Sequence, residues 1–188
     1  MNELLPPTFH ALSLAYAGDH HSMMFALSAA DVEQYFSHRD DLRLEVSAVI
    51  LASCNSLDIQ MYTYCDESLA DAAIAAHERG VVVRIMLDRM QVFQKSSQAR
   101  KLVAAGMNVR ISKNTAIFHD KLAIVDGRVV LTGSFNWTIG AETRNEENLC
   151  RIESSEVAAR AEDQFNVLWE LWNPELTAEL SEPLPVKE

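Results

Sequence analysis

No apolar run in the chain is long enough to span a bilayer, which takes about 20 such residues. The N-terminus, MNELLPPTFHALSLAYAGDHH, lacks the basic start and the long apolar centre of a secretory signal, so a cytoplasmic protein is expected. Cysteines are few: Cys54, Cys65 and Cys150. Their odd number and irregular spacing fit no zinc-ligand pattern, and reduced, buried thiols are the simple expectation. Glycine (6) and proline (5) are scarce, which excludes fibrous and low-complexity classes. Net positive charge is also missing. At −11 the chain should not bind nucleic acid casually.

What is present is patterned. The 188 residues suit one domain with a sizeable core. Charge is uneven: from Arg79 to Arg128 ten basic residues face only Asp88, Asp120 and Asp126, a balance of +7. Such a stretch could focus a phosphate substrate, or its members could simply solvate helix surfaces.

Residues 1–30 form an extension of unknown role, interrupted by Pro6-Pro7 and Gly18. There Asp19-His20-His21 reads as a solvated turn rather than a metal site, and Met23-Met24-Phe25 as packing. From 31 to 175 strands and helices alternate. Strands are expected at Val32–Phe36, Leu57–Tyr62, Val81–Leu87, Met107–Ile111, on both sides of Asp126-Gly127, and at Glu147–Ile152. Helices are expected at Asp41–Ser53, Glu67–Arg79, Ser96–Ala105 and Ser154–Trp172. This alternation predicts an α/β fold, a mixed β-sheet between helix layers. Residues 176–188 read as a disordered tail.

The chemistry concentrates in His119–Thr138, HDKLAIVDGRVVLTGSFNWT. Asp126-Gly127 between two apolar strands signals a two-residue hairpin turn. In that register Val125 lies opposite Arg128, His119 faces Ser134 and Lys121 faces Thr132. His119, Lys121, Ser134 and Asn136 then share one face. An imidazole near neutral pH can be nucleophile or acid. A lysine, a hydroxyl and an amide can hold phosphoryl oxygens. Glu146 and Glu147 follow, and a carboxylate reaching the imidazole would fix its tautomer. Asp126 sits at the turn, away from His119, where a structural role and a buried ion pair are expected. No second ligand accompanies His119, so no metal site is expected.

His119-x-Lys121-x4-Asp126-x6-Gly133-Ser134-x-Asn136 resembles the full HxKxxxxD…GSxN signature of the phospholipase D superfamily. Through Thr138, Glu147 and Asn148 it is similar to the superfamily's small bacterial nucleases and to mitochondrial phospholipase-D-like proteins, and more loosely it extends from Val32 to about Trp172. The resemblance implies a phospholipase D-like catalytic domain over 31–175 with one motif copy per chain. It implies that His119 forms a phosphohistidine or protonates the leaving oxygen. It further implies that Lys121, Ser134 and Asn136 hold the phosphate, that Glu147 orients the imidazole, and that no cofactor is needed. The family uses two motif copies at one site. His10, His20, His21, His38 and His77 have no lysine two residues on, so a homodimer with its site on a twofold axis is expected.

The expected activity is metal-independent phosphodiester cleavage, with a non-specific endonuclease on single-stranded DNA or RNA placed first. Phe118, Phe135 and Trp137 could stack bases, and Lys95 and Gly133 complete the expected substrate contacts. A cardiolipin-type phospholipase is the alternative. A non-catalytic nucleic-acid-binding module would require a missing motif residue, and none is missing.

Overall fold

The computed structural model describes residues 31–113, 116–172 and 180. The expectations for Asp19-His20-His21, Met23-Met24-Phe25, the rest of residues 1–30 and the tail other than Leu180 lie outside the described residues. Leu180 itself is buried in the core and its carbonyl accepts from Arg100 at 2.7 Å, contrary to the disorder expected there.

Twelve elements follow one another: β1 (Asp31–Phe36), α1 (Leu42–Leu51), β2 (Ser56–Met61), α2 (Glu67–Glu78), β3 (Val82–Leu87), α3 (Ala99–Ala104), β4 (Asn108–Ile111), β5 (Lys121–Val125), β6 (Val129–Gly133), α4 (Ile139–Thr143), β7 (Asn148–Glu153) and α5 (Ser155–Leu171). Helix starts are set by short polar side chains that accept a backbone N–H of the first turn: Asp41 for α1, Asp66 for α2, Thr138 for α4 and Ser154 for α5. α4 has five residues, too few to display a helical period, and was not legible in the sequence. α3 begins at Ala99, later than expected, after turns in which the Gln94 and Ser97 N–H groups donate to the Gln91 and Gln94 carbonyls.

The strands form one seven-stranded sheet in the order β1-β7-β6-β5-β2-β3-β4. β2, β3 and β4 are parallel, and β5, β6, β7 and β1 run antiparallel. One face is covered by Leu42, Val46 and Ile50 of α1, the alanines of α2, and Leu102 of α3. α5 covers the other face, where Phe165 and Trp169 close over Met86, Ile124 and Val130. The mixed sheet between helix layers is as expected. The central strands β2 and β3 are largely buried because helices cover both faces, with Asp58, Gln60 and Arg84 as the polar members of the pair.

The thiols depart from expectation. Cys54 is exposed, Cys65 and Cys150 are half-buried, and all three are free. The basic stretch also divides. Arg84 grips Asp58 in a two-pronged ion pair beneath α5, with its guanidinium 4.6 Å from the Phe165 ring centre. Arg110 lies 4.1 Å over Trp169. Arg79 donates to the Leu51 and Ser53 carbonyls, Lys101 pairs with Glu67 and Asp71, and Arg128 pairs with Glu153. Much of the +7 therefore braces the fold.

Candidate active site

β5 and β6 form the expected hairpin, but not in the expected register. The pairs run from Val125↔Val129 to Leu122↔Thr132, one residue offset from the sequence reading. The turn holds three residues, not two. Asp126 (φ 53°) and Gly127 (φ 60°) both adopt left-handed backbone, which aspartate and glycine tolerate. The Arg128 N–H then closes on the Val125 carbonyl at 3.0 Å. A one-residue slip reverses which residues share a face, so regular alternation would not bring Ser134 to Lys121.

A bulge supplies the correction. The N–H groups of Ser134 and Phe135 both reach the Asn148 carbonyl of β7, at 3.1 and 3.3 Å. Two residues thus oppose one, Phe135 enters the core and Ser134 stays exposed. Gly133 makes this possible. A Cβ there would stand 2.3 Å from the Asn148 carbonyl oxygen.

His119 is exposed, just before β5. Its ring centre lies 4.7 Å from that of Tyr62, tilted at 57°. Lys121 opens β5 and is only 8% exposed. Its ammonium donates to the His119 carbonyl at 2.7 Å and sits 5.0 Å above the Tyr62 ring. Burial lowers its pKa below the usual lysine value, against the opposing charges of Asp120 and Glu147. The field of Glu147 thus reaches the lysine. Ser134 Oγ donates to Glu147 Oε2 at 2.5 Å and accepts the Asn148 N–H at 3.0 Å. Glu147 Oε1 accepts Asn145 Nδ2 at 2.9 Å. The His119 imidazole is not among the partners of this carboxylate, contrary to the expected contact. Glu146 turns away, 3.6 Å from His38. Asn136 is half-buried, with Oδ1 buried and unpartnered among the described residues.

Three expectations need correction. Among the described residues Asp126 forms no buried ion pair. Its carboxylate accepts the N–H groups of Cys54, Asn55 and Ser56 at 2.9, 2.7 and 2.9 Å. Burial would raise its pKa, but those three donors outweigh burial and hold it below the usual value. Trp137 is 2% exposed and packs edge-on against Tyr64, so neither it nor the buried Phe135 offers a face to a base. Phe118 is half-buried against Trp172, ring centres 4.6 Å apart. Lys95 is exposed, in the loop between β3 and α3.

Sequence reasoning missed the support around His119. Buried Asp88 accepts the N–H of Met90 on one oxygen and that of Phe118 on the other, both at 2.8 Å. Gln91 Nε2 donates to the Tyr62 hydroxyl at 3.0 Å. The Tyr62 N–H donates to the Asp120 carbonyl at 2.9 Å. Nothing in the sequence told that β2 would lie beside β5, so Tyr62 could not be placed. Among the described residues no three His, Cys, Asp or Glu side chains are grouped to hold a metal ion, and no helix is long and apolar enough to cross a membrane.

Residues 46–169 match a family model described as "Cardiolipin synthase, PLD-like domain". The chain is 34% identical over 137 residues to the mitochondrial cardiolipin hydrolase of Xenopus tropicalis, covering 73% of this chain and 65% of that protein. It is 44% identical over 103 residues to a phospholipase D of Rickettsia conorii, covering 55% of this chain and 52% of that one. The chain spans between about half and two thirds of the length of these curated relatives. Among solved structures it is similar to Nuc, a phospholipase D family member from Salmonella typhimurium. The TM-score is 0.73 at 29% identity, over 77% of this chain and 97% of that one. Relatives that carry "mitochondrial" in their names overturn the expectation of a cytoplasmic protein, which rested on N-terminal composition alone.

Proposed function

The chain belongs to the phospholipase D-like family, and from that premise we propose that it hydrolyses phosphodiester bonds through His119 without a metal ion. One observation carries the reading. An exposed imidazole stands at the hairpin's open end with a buried ammonium two residues on. In the proposed reaction an imidazole nitrogen of His119 attacks phosphorus, and the bond to the leaving oxygen breaks. Lys121 neutralises the non-bridging oxygens and the Asn136 amide donates to them. The Ser134 hydroxyl joins in by turning its single proton from Glu147 to the phosphate. A second imidazole protonates the leaving oxygen, then takes a proton from the water that hydrolyses the phosphohistidine. The chain has one motif, so that second imidazole is assigned to the partner's His119 across a twofold axis.

The substrate proposed is a phospholipid of the cardiolipin type. Support comes from the name of the Xenopus tropicalis relative and from the burial of Phe135 and Trp137, which removes the expected stacking platform for bases. This reverses the order in which the sequence placed the two substrates. Cleavage of single-stranded nucleic acid is kept as the second reading, because the exposed cations Arg89, Lys95 and Lys113, in the loops that follow β3 and precede β5, would suit a phosphate backbone.

The test is purified protein in EDTA, offered cardiolipin dispersions and labelled oligonucleotides in parallel. Release of phosphatidic acid is expected. Recovery of activity only on adding Mg²⁺ or Zn²⁺ would refute the mechanism, and cleavage of oligonucleotides alone would refute the lipid assignment. Sedimentation should give a dimer, and a turnover-competent monomer would remove the shared site.

A further inference from the structure

Two loops meet beside His119 and leave large apolar side chains in water. The first joins β3 to α3, and the second precedes β5. Met90 is 72%, Phe93 38% and Ile117 63% exposed. They are not scattered. The Asp88 carboxylate holds the Met90 N–H with Oδ1 and the Phe118 N–H with Oδ2, so both loops emerge from one point. The Arg89 N–H donates to Ser112 Oγ at 3.0 Å, bringing Arg89 beside Lys113. Arg89, Lys95 and Lys113 are exposed, and none pairs with a carboxylate among the described residues. The first loop is wired to the site itself, through Gln91 to Tyr62 and from Tyr62 to the His119 ring.

We propose that this rim is a membrane-docking surface, with Met90, Phe93 and Ile117 entering the lipid and Arg89, Lys95 and Lys113 meeting an anionic headgroup layer. The proposal rests on the phospholipid reading above and extends it to how the site reaches its substrate. Exposed apolar side chains in the same two loops as cations that lack a carboxylate partner among the described residues match the layered polarity of an anionic bilayer surface. They match nucleic acid less well, because of the three Phe93 alone has a ring to stack on a base and none has a side-chain donor for a phosphate. The remainder of the chain is strongly acidic, net −11 overall, so anionic lipid would be repelled elsewhere and the rim sets the orientation. Docked this way, His119 faces the headgroup layer.

The test uses the full-length His119→Ala chain, so that binding is read without turnover. Vesicles of phosphatidylcholine with phosphatidylglycerol should cosediment with it, and vesicles of phosphatidylcholine alone should not. Replacing Met90, Phe93 and Ile117 together by serine should weaken vesicle binding roughly tenfold or more. In the chain with His119 intact, the same triple change should leave hydrolysis of a small soluble phosphodiester, bis(p-nitrophenyl) phosphate, unchanged. Undiminished vesicle binding by the triple variant overturns the proposal. Loss of the dimer in that variant also overturns it, because the rim would then be an interface between copies. Oligonucleotide binding that replaces vesicle binding overturns it in favour of nucleic acid. If vesicles bind through the rim but no phosphodiester is hydrolysed, docking stands and the enzymatic reading fails, so the two are separable.

Discussion

At the turn of the β5–β6 hairpin both oxygens of Asp126 are occupied by backbone N–H groups of the segment leading into β2, whereas at the open end the His119 imidazole rests, among the described residues, against a tyrosine ring. Both residues belong to one short motif, yet they do opposite things. Asp126 spends its charge on holding the backbone, and the price of exposing His119 is that the fold gains little from it. A motif read from sequence therefore mixes a clamp with a reagent. The geometry separates them, and substitutions at the two ends should separate them too.

The largest effect belongs to the open end. His119→Ala should lower turnover by roughly 10³-fold or more with no loss of melting temperature, since an exposed ring is removed. Lys121→Met should abolish turnover as well and raise the melting temperature. Burial depresses the lysine's pKa, so the unfolded chain takes up that proton more readily. The resulting cost to stability is present at neutral pH and fades only as pH rises toward the ordinary lysine range. Methionine removes the cost. A destabilised Lys121→Met protein would contradict this account.

Next is the bulge between the two ends. Gly133→Ala sets a Cβ against the Asn148 carbonyl, which holds both Ser134 and Phe135. Relief requires the bulge to shift. We expect a stability loss of about 1–3 kcal/mol, read by urea denaturation, together with a clear fall in kcat. Unchanged kcat would mean that the position of Ser134 is not critical.

These residues also mark how far the sequence could be read. The α/β alternation, the sheet between helix layers and the hairpin were legible because apolar periodicity and turn chemistry are local signals. The register was not. Asp126-Gly127 announces a turn, but whether two or three residues are left unpaired depends on Asp126 reaching the N–H groups of residues 54–56, a long-range contact. Two local departures, the longer turn and the bulge after Gly133, offset each other, so Ser134 reaches the site by a route the alternation rule does not describe. Trp137 was misplaced for a related reason. A tryptophan beside a polar motif can face either way, and only the packing of Tyr64 decides it. The cations of Arg79 to Arg128 were counted together although Arg84 and Arg110 lie under α5.

The turn end should yield a smaller effect of the opposite kind. Asp126→Asn keeps one oxygen and tolerates the left-handed backbone, but loses charge from three hydrogen bonds. A half-exposed site weakens that loss, so we expect about 1–2 kcal/mol at pH 7 by urea denaturation, with kcat of the folded protein nearly unchanged. The folded pKa lies below the usual aspartate value. The stability that Asp126 brings is therefore complete above the ordinary carboxyl range and declines as pH falls toward the folded value. Wild type and Asp126→Asn should converge at acid pH. A gap that persists there would point to lost packing rather than lost charge.

The smallest expected effect tests whether the open end is as free as it looks. Tyr62 touches His119 by its ring and Gln91 by its hydroxyl, and both Tyr62 and Gln91 lie outside the motif. If the ring alone positions the imidazole, Tyr62→Phe should change kcat by no more than about fivefold, the worth of one ordinary hydrogen bond. Tyr62→Leu removes the ring that faces both the His119 imidazole and the Lys121 ammonium, and should lower kcat strongly with a smaller rise in KM. A merely structural role predicts instead that both variants lose melting temperature in proportion to lost kcat. Equal kcat for Tyr62→Leu and wild type would mean that the imidazole finds its place without this support, and the contrast between clamp and reagent would then be complete.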